Sequence, residues 1–112
     1  LFDGARFDDA ETKAVIKAVH DACGELVDPH TAVGIAAGRA KRRDKSAPMV
    51  ALATAHPAKF PDAVEAATGI RPALPTRLKD LYERPERCEV LANDLAAVKR
   101  HVAGRARARV AA

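Results

Sequence analysis

The sequence has no tryptophan, one tyrosine and three phenylalanines. The side chains that bury the most area each are therefore scarce, and much of the 48% hydrophobic fraction is alanine. A well-packed independent core is hard to build from such residues. Cysteine is nearly absent too: Cys23 and Cys88 lie far apart, outside any C-x-x-C or Cys/His ligand spacing. That excludes a disulfide-rich scaffold, offers no metal-ligand pattern, and makes free thiols in a reducing cytoplasm the expectation. The longest apolar run centres on residues 49–53, far short of a bilayer's thickness, so a soluble protein with no membrane partner is expected. No P-loop, GxGxxG, HExxH or GxSxG pattern occurs. The first residue is Leu1 rather than Met, and residues 1–7 lack the basic start and apolar run of a signal peptide. The chain is expected to be a piece of something longer.

What is present begins with charge. The formal net charge of +4 raises the question of nucleic acid, which requires clustered Lys and Arg against phosphate. The clusters are Lys41-Arg42-Arg43 and the tail Arg105, Arg107, Arg109. Both fall where helices are expected to end, a position that favours cations, and neither carries the aromatic side chains that stack on bases. No nucleic-acid partner is expected. A small basic nucleic-acid-binding module is the alternative reading, and DNA or RNA binding that weakens steeply with salt would favour it.

Along the chain, Asp8 and Glu11 form a capping-box pattern that opens a helix. Ala14, Val15, Ala18, Val19, Ala22 and Cys23 recur at helical spacing, and Gly24 supplies the stop. A second helix is expected from Asp28-Pro29, a cap followed by proline at the first helical position. Val33, Ala36, Ala37 and Ala40 line one side of it, and Gly34 and Gly38 would let it lie close to another backbone. The continuous apolar run "MVALA" reads as a central parallel strand buried on both faces. Residues 88–91 are the one other strand candidate, so further strands are expected from outside the chain. A polar loop at 54–60, a short helix ending at Gly69, a helix near 75–83 carrying Leu74, Leu78 and Leu81, and a last helix capped by Asn93 follow. In that last helix Leu95, Val98 and Val102 share a face. The fold class is thus α/β, mostly helices around one central parallel strand. Residues 1–104 are expected to form one segment of a larger α/β region and 105–112 a frayed basic tail.

In open α/β sheets ligands bind at the carboxyl ends of strands. Thr54 is the first polar residue at that end, and its hydroxyl reads equally well as a ligand contact or as a backbone cap. His56, preceding Pro57, suits a turn; an acid/base or phosphate-facing donor role competes with the blander one of loop packing with its ring N–H on a carbonyl. Lys59 sits where a lysine could attack a carbonyl cofactor, yet Asp62 three residues on suggests a surface pair. In "DPHT", His30 and Thr31 occupy a helix's first turn, whose free N–H groups attract anions. Asp28 already serves those N–H groups and its charge opposes an anion there.

"DPHTAVG" at 28–34 and "ATAHPAKFPDAV" at 53–64 together resemble the C-terminal part of the threonine synthase family. "TGIRPALPTRLKDLYERPER" at 68–87 and the helix after Asn93 are similar to that family's ending, so the resemblance runs from Phe7 to about Val102. It implies a segment of a pyridoxal 5'-phosphate enzyme of the tryptophan-synthase-β-like fold (fold type II). Such enzymes convert O-phospho-L-homoserine and water to L-threonine and phosphate, the last step of threonine biosynthesis. It further implies that Thr54 hydrogen-bonds the cofactor's pyridine nitrogen, and that His30, Thr31 and His56 lie toward the active-site face. Lys59 does not match the family's Schiff-base motif. That lysine and the phosphate-cradling loop are expected in the N-terminal remainder of the same enzyme, so the chain is expected to be inactive alone. A competing expectation is a non-catalytic segment of a parent that has lost activity; the upstream sequence decides it.

Overall fold

Helix α1, Asp9–Cys23, starts on the capping box expected of it. The Asp8 side chain accepts the Glu11 N–H at 2.9 Å, and the Glu11 carboxylate accepts the Asp8 N–H at 2.8 Å. Its end is equally well determined, because Gly24 adopts φ 77°, a left-handed conformation that costs glycine little, and donates its N–H to the His20 carbonyl. The coordinates are a computed structural model describing residues 2–106.

The buried stripe of α1 is Thr12, Ile16 and Val19, spaced four and three apart. This corrects the expected face: Val19 belongs to it, Val15 is half-buried, and Ala14, Ala18, Ala22 and Cys23 are exposed. Alanines fit any face of a helix, and Ile16, with the largest apolar side chain in α1, decides which one turns inward.

Helix α2, Pro29–Lys41, begins at the Asp28 cap with proline in its first turn. Thr31, Ala32 and Ala36 are its buried residues. Of the expected line, Ala36 is buried, Val33 and Ala37 are half-buried, and Ala40 is exposed. The expected close approach to another backbone is not found at either glycine, and what lies near Gly38 is a side chain. A Cβ at Gly38 would meet the Met49 sulfur at 2.7 Å, while one at Gly34 would meet nothing within 4 Å. Arg42 closes the C-terminal end by donating to the carbonyls of Asp44, Lys45 and Ala47 at 3.1, 2.6 and 2.6 Å.

Helix α3, Pro61–Thr68, stops at Gly69 with φ 75°. Beyond it, Arg71 reaches back to Asp62 at 2.9 Å and Glu65 at 2.5 Å. Helix α1 packs against both α2 and α3. At their junction Ile16, Ala32 and Val64 are fully buried, flanked by Val15, Leu26, Val27 and Ala67. Ile16 and Val64 each contribute about 1.5–3 kcal/mol by burial, a small sum for a core, as the shortage of large apolar residues implies.

The apolar run at 49–53 is where structure and expectation part. It carries no regular element, and Val50 and Leu52 are 82% and 74% exposed. Residues 88–91 are likewise without one, and no strand occurs among the described residues. A strand exists through ladder hydrogen bonds to a neighbour, and the described residues supply no neighbouring strand. The helix expected near 75–83 is instead two 3₁₀ turns, Thr76–Leu78 and Leu81–Glu83. Neither has a capping side chain, and a single turn without one is too costly a nucleus to extend.

The chain divides into two units after Lys79. The second contains helix α4, Leu95–Arg105, capped by Asp94, whose side chain accepts the Ala97 N–H at 2.7 Å. The cap is thus one residue beyond the expected Asn93. Within this unit Arg84 pairs with Asp80 at 2.7 Å, and Arg105 pairs with Glu89. Leu95, Val98 and Val102 are 69%, 41% and 60% exposed. The helix runs through Arg105, the first residue of the expected tail; residues 107–112 of that tail lie outside the described residues.

Candidate functional site

The site is built on Asp28. As the N-cap of α2 its carboxylate accepts two backbone donors, and it takes two side-chain donors besides. One oxygen, Oδ2, accepts the His30 N–H and the His30 ring Nδ1, both at 3.0 Å. The other, Oδ1, accepts the Thr31 N–H at 3.2 Å and the Thr31 hydroxyl. Asp28 is 0% exposed, so these donors replace water entirely. Burial alone would raise its carboxyl, yet the bonds from the Thr31 hydroxyl, the His30 N–H and ring, and the Thr31 N–H outweigh it. Together they hold the group below its ordinary value.

Thr31 passes this anchoring on. Its hydroxyl hydrogen goes to Asp28, and its oxygen accepts the Thr54 backbone N–H at 3.2 Å. The direction is forced, since an ionised carboxylate only accepts and an N–H only donates. Two stretches 23 residues apart, "DPHT" and "TAHP", are thereby joined at Thr54. Thr54 itself is exposed, and its hydroxyl makes no hydrogen bond among the described residues. A backbone held by its N–H and a hydroxyl left without a partner among the described residues suit a ligand contact.

The other sequence-derived candidates have local roles. The His56 ring Nδ1 accepts the Ala58 N–H at 3.2 Å, capping the 3₁₀ turn Pro57–Lys59 and leaving the ring proton on Nε2. Loop packing with a ring N–H on a carbonyl is not what is seen: here the ring accepts a backbone N–H, and it is exposed. His30 holds its proton on Nδ1 against Asp28, and its ring lies 4.9 Å from that of Phe60, tilted by 52°. His30 and Phe60 thus tie α2 to the loop before α3. Lys59 is exposed with Nζ 5.7 Å from the Phe60 ring centre, and Asp62 pairs with Arg71. Asp28 is the residue whose part exceeds the sequence reading. Besides the cap, the Asp-x-x-Thr spacing places a hydroxyl on the same carboxylate.

The basic cluster 41–43 is partly occupied by its own chain, with Lys41 on Asp3 at 3.2 Å and Arg42 on three carbonyls. Cys23 and Cys88 are both exposed and unpaired. Among the described residues no three His, Cys, Asp or Glu side chains are grouped to hold a metal ion, and no helix is long and apolar enough to cross a membrane.

Comparison with known proteins gives one consistent family. Residues 31–102 match the family model described as threonine synthase, C-terminal. A threonine synthase of Pseudomonas aeruginosa is 54% identical over 103 residues, covering 91% of this chain and 22% of that protein. One from Methylobacillus glycogenes is 39% identical over 93 residues, covering 83% and 19%. Among solved structures, the pyridoxal-phosphate-bound threonine synthase of Brucella melitensis superposes with a TM-score of 0.79 at 48% identity, covering 96% of this chain and 23% of that one. The chain spans about a fifth of the length of the relatives it matches, and it belongs to the threonine synthase family, corresponding to that family's C-terminal region.

Proposed function

We propose that this chain is the C-terminal portion of a cytoplasmic threonine synthase that converts O-phospho-L-homoserine and water to L-threonine and phosphate. Its partner is the N-terminal remainder of the same enzyme, and by itself it is inactive. Thr54 is the contact to the pyridine nitrogen of pyridoxal 5'-phosphate. When bound, that cofactor supplies an electron sink for carbanions formed from the substrate.

The observation that carries this reading is the bond from the Thr54 N–H to Thr31 Oγ1, 3.2 Å long and seated on a buried carboxylate. The residues fit the cofactor. The Thr54 hydroxyl is exposed, able to donate, and mounted on backbone whose N–H is bonded to Thr31. A hydroxyl, unlike a carboxylate, gives hydrogen-bond orientation without holding a proton on the ring nitrogen. That suits elimination and replacement at the β and γ carbons better than transamination. His30, Thr31 and His56 flank Thr54 on this reading as residues of the active-site face. His30 and Thr31 act through Asp28, and His56 shapes the turn after Thr54.

The full-length protein containing this segment should release phosphate from O-phospho-L-homoserine with equal formation of L-threonine. Absence of both products from the cofactor-loaded protein would refute the assignment.

A further inference from the structure

We infer that Thr31, seated on the buried Asp28 carboxylate, is a positioning residue that sets where the Thr54 hydroxyl points. This rests on the reading of Thr54 as the cofactor contact and adds what holds it there. Residues 49–53 contain no regular element, so the backbone entering Thr54 is not fixed by a helix or a ladder within this chain. The first bond that ties it down among the described residues is the one to Thr31 Oγ1. Thr31 is 4% exposed and lies in the first turn of α2, so its hydroxyl is as fixed as the helix. Asp28 adds polarity. By taking the hydroxyl hydrogen it leaves only lone pairs toward Thr54, so the oxygen cannot turn its hydrogen to that N–H and repel it. A charge-assisted bond of this kind is stronger than a neutral one, and the Thr54 N–H sits at its far end. On the other side of Thr54, His56 fixes the 3₁₀ turn Pro57–Lys59, and the Thr54–Ala55 step lies between two pinned points.

The experiment uses the full-length enzyme with Thr31→Val, Thr31→Ser, Thr54→Val and the parent. Two quantities are read: amide hydrogen exchange at Thr54 in the cofactor-free form, and the dissociation constant for pyridoxal 5'-phosphate. Thr31→Val, which keeps the shape and removes the hydroxyl, should speed exchange at Thr54 and weaken cofactor binding, each about tenfold. Thr31→Ser should restore both to within about twofold of the parent, since it keeps the hydroxyl. Thr31→Val leaving both quantities unchanged would overturn the inference, as would Thr31→Ser failing as badly as Thr31→Val, because packing rather than the hydroxyl would then matter. Weakening by Thr54→Val without weakening by Thr31→Val would overturn the positioning role and leave the cofactor contact standing. Faster exchange in Thr31→Val with cofactor affinity unmoved in either variant would overturn the inference through the Thr54 reading itself.

Discussion

A single buried carboxylate organises the candidate site, and its protonation state is therefore a matter of stability. Asp28 is held below its ordinary carboxylate value, so the unfolded chain binds its proton more readily than the folded one. Its contribution is fully present above the unfolded value of about 3.9 and is lost as pH falls through the lower folded value. Chemical denaturation of the full-length protein from about pH 6 down to about pH 2 should show Asp28→Asn with a shallower acid loss than the parent. Equal slopes would remove Asp28 from this role. Lys59 gives the opposite case at the same scale. Among the described residues its ammonium meets the face of Phe60, an exposed contact of about 0.5–1 kcal/mol, so Lys59→Met should leave cofactor affinity within about threefold. A complete loss of binding in that variant would mean that the wrong residue has been set aside.

At the scale of elements, much was legible because the signals were local. Asp8 with Glu11, Asp28 with Pro29, and the glycines at 24 and 69 each act within a few residues, and α1, α2 and α3 begin or end where those signals stand. The inward face of α1 was not legible from its alanines, which carry too little area to choose a side; Ile16 chooses it. Ile16→Ala in the full-length protein should cost about 2–5 kcal/mol, read as a lowered denaturation midpoint. A loss comparable to an exposed alanine substitution would mean the α1 stripe is wrongly placed. The helix expected near 75–83 failed because leucine spacing alone supplies neither a cap nor a surface to pack on. The apolar run at 49–53 has the composition of a buried strand, but strand formation is a property of two segments, and the described residues supply no second one. The site was partly legible. Thr54, Thr31 and His30 stood out by position and resemblance, while the bond that joins Thr31 to Thr54 spans 23 residues and no local pattern announces it.

The whole molecule explains why so sparse a core suffices in the proposed setting. A core among the described residues of Ile16, Val19, Val64 and three alanines, with Val50 and Leu52 exposed, describes a segment whose apolar surface exceeds what its own helices cover. On the proposed reading the remainder of the enzyme covers that surface and completes the sheet around 49–53. The 112-residue chain alone should accordingly neither turn over O-phospho-L-homoserine nor retain a borohydride-stable cofactor on Lys59. Either activity in the isolated chain would contradict the division of labour. The most direct measurement of the central claim is cofactor affinity and turnover of the full-length enzyme carrying Thr54→Val, with Thr54→Ser beside it. Thr54→Val should weaken pyridoxal 5'-phosphate binding about threefold to tenfold with a parallel fall in turnover, while Thr54→Ser stays near the parent. Affinity and turnover unchanged in Thr54→Val would contradict it.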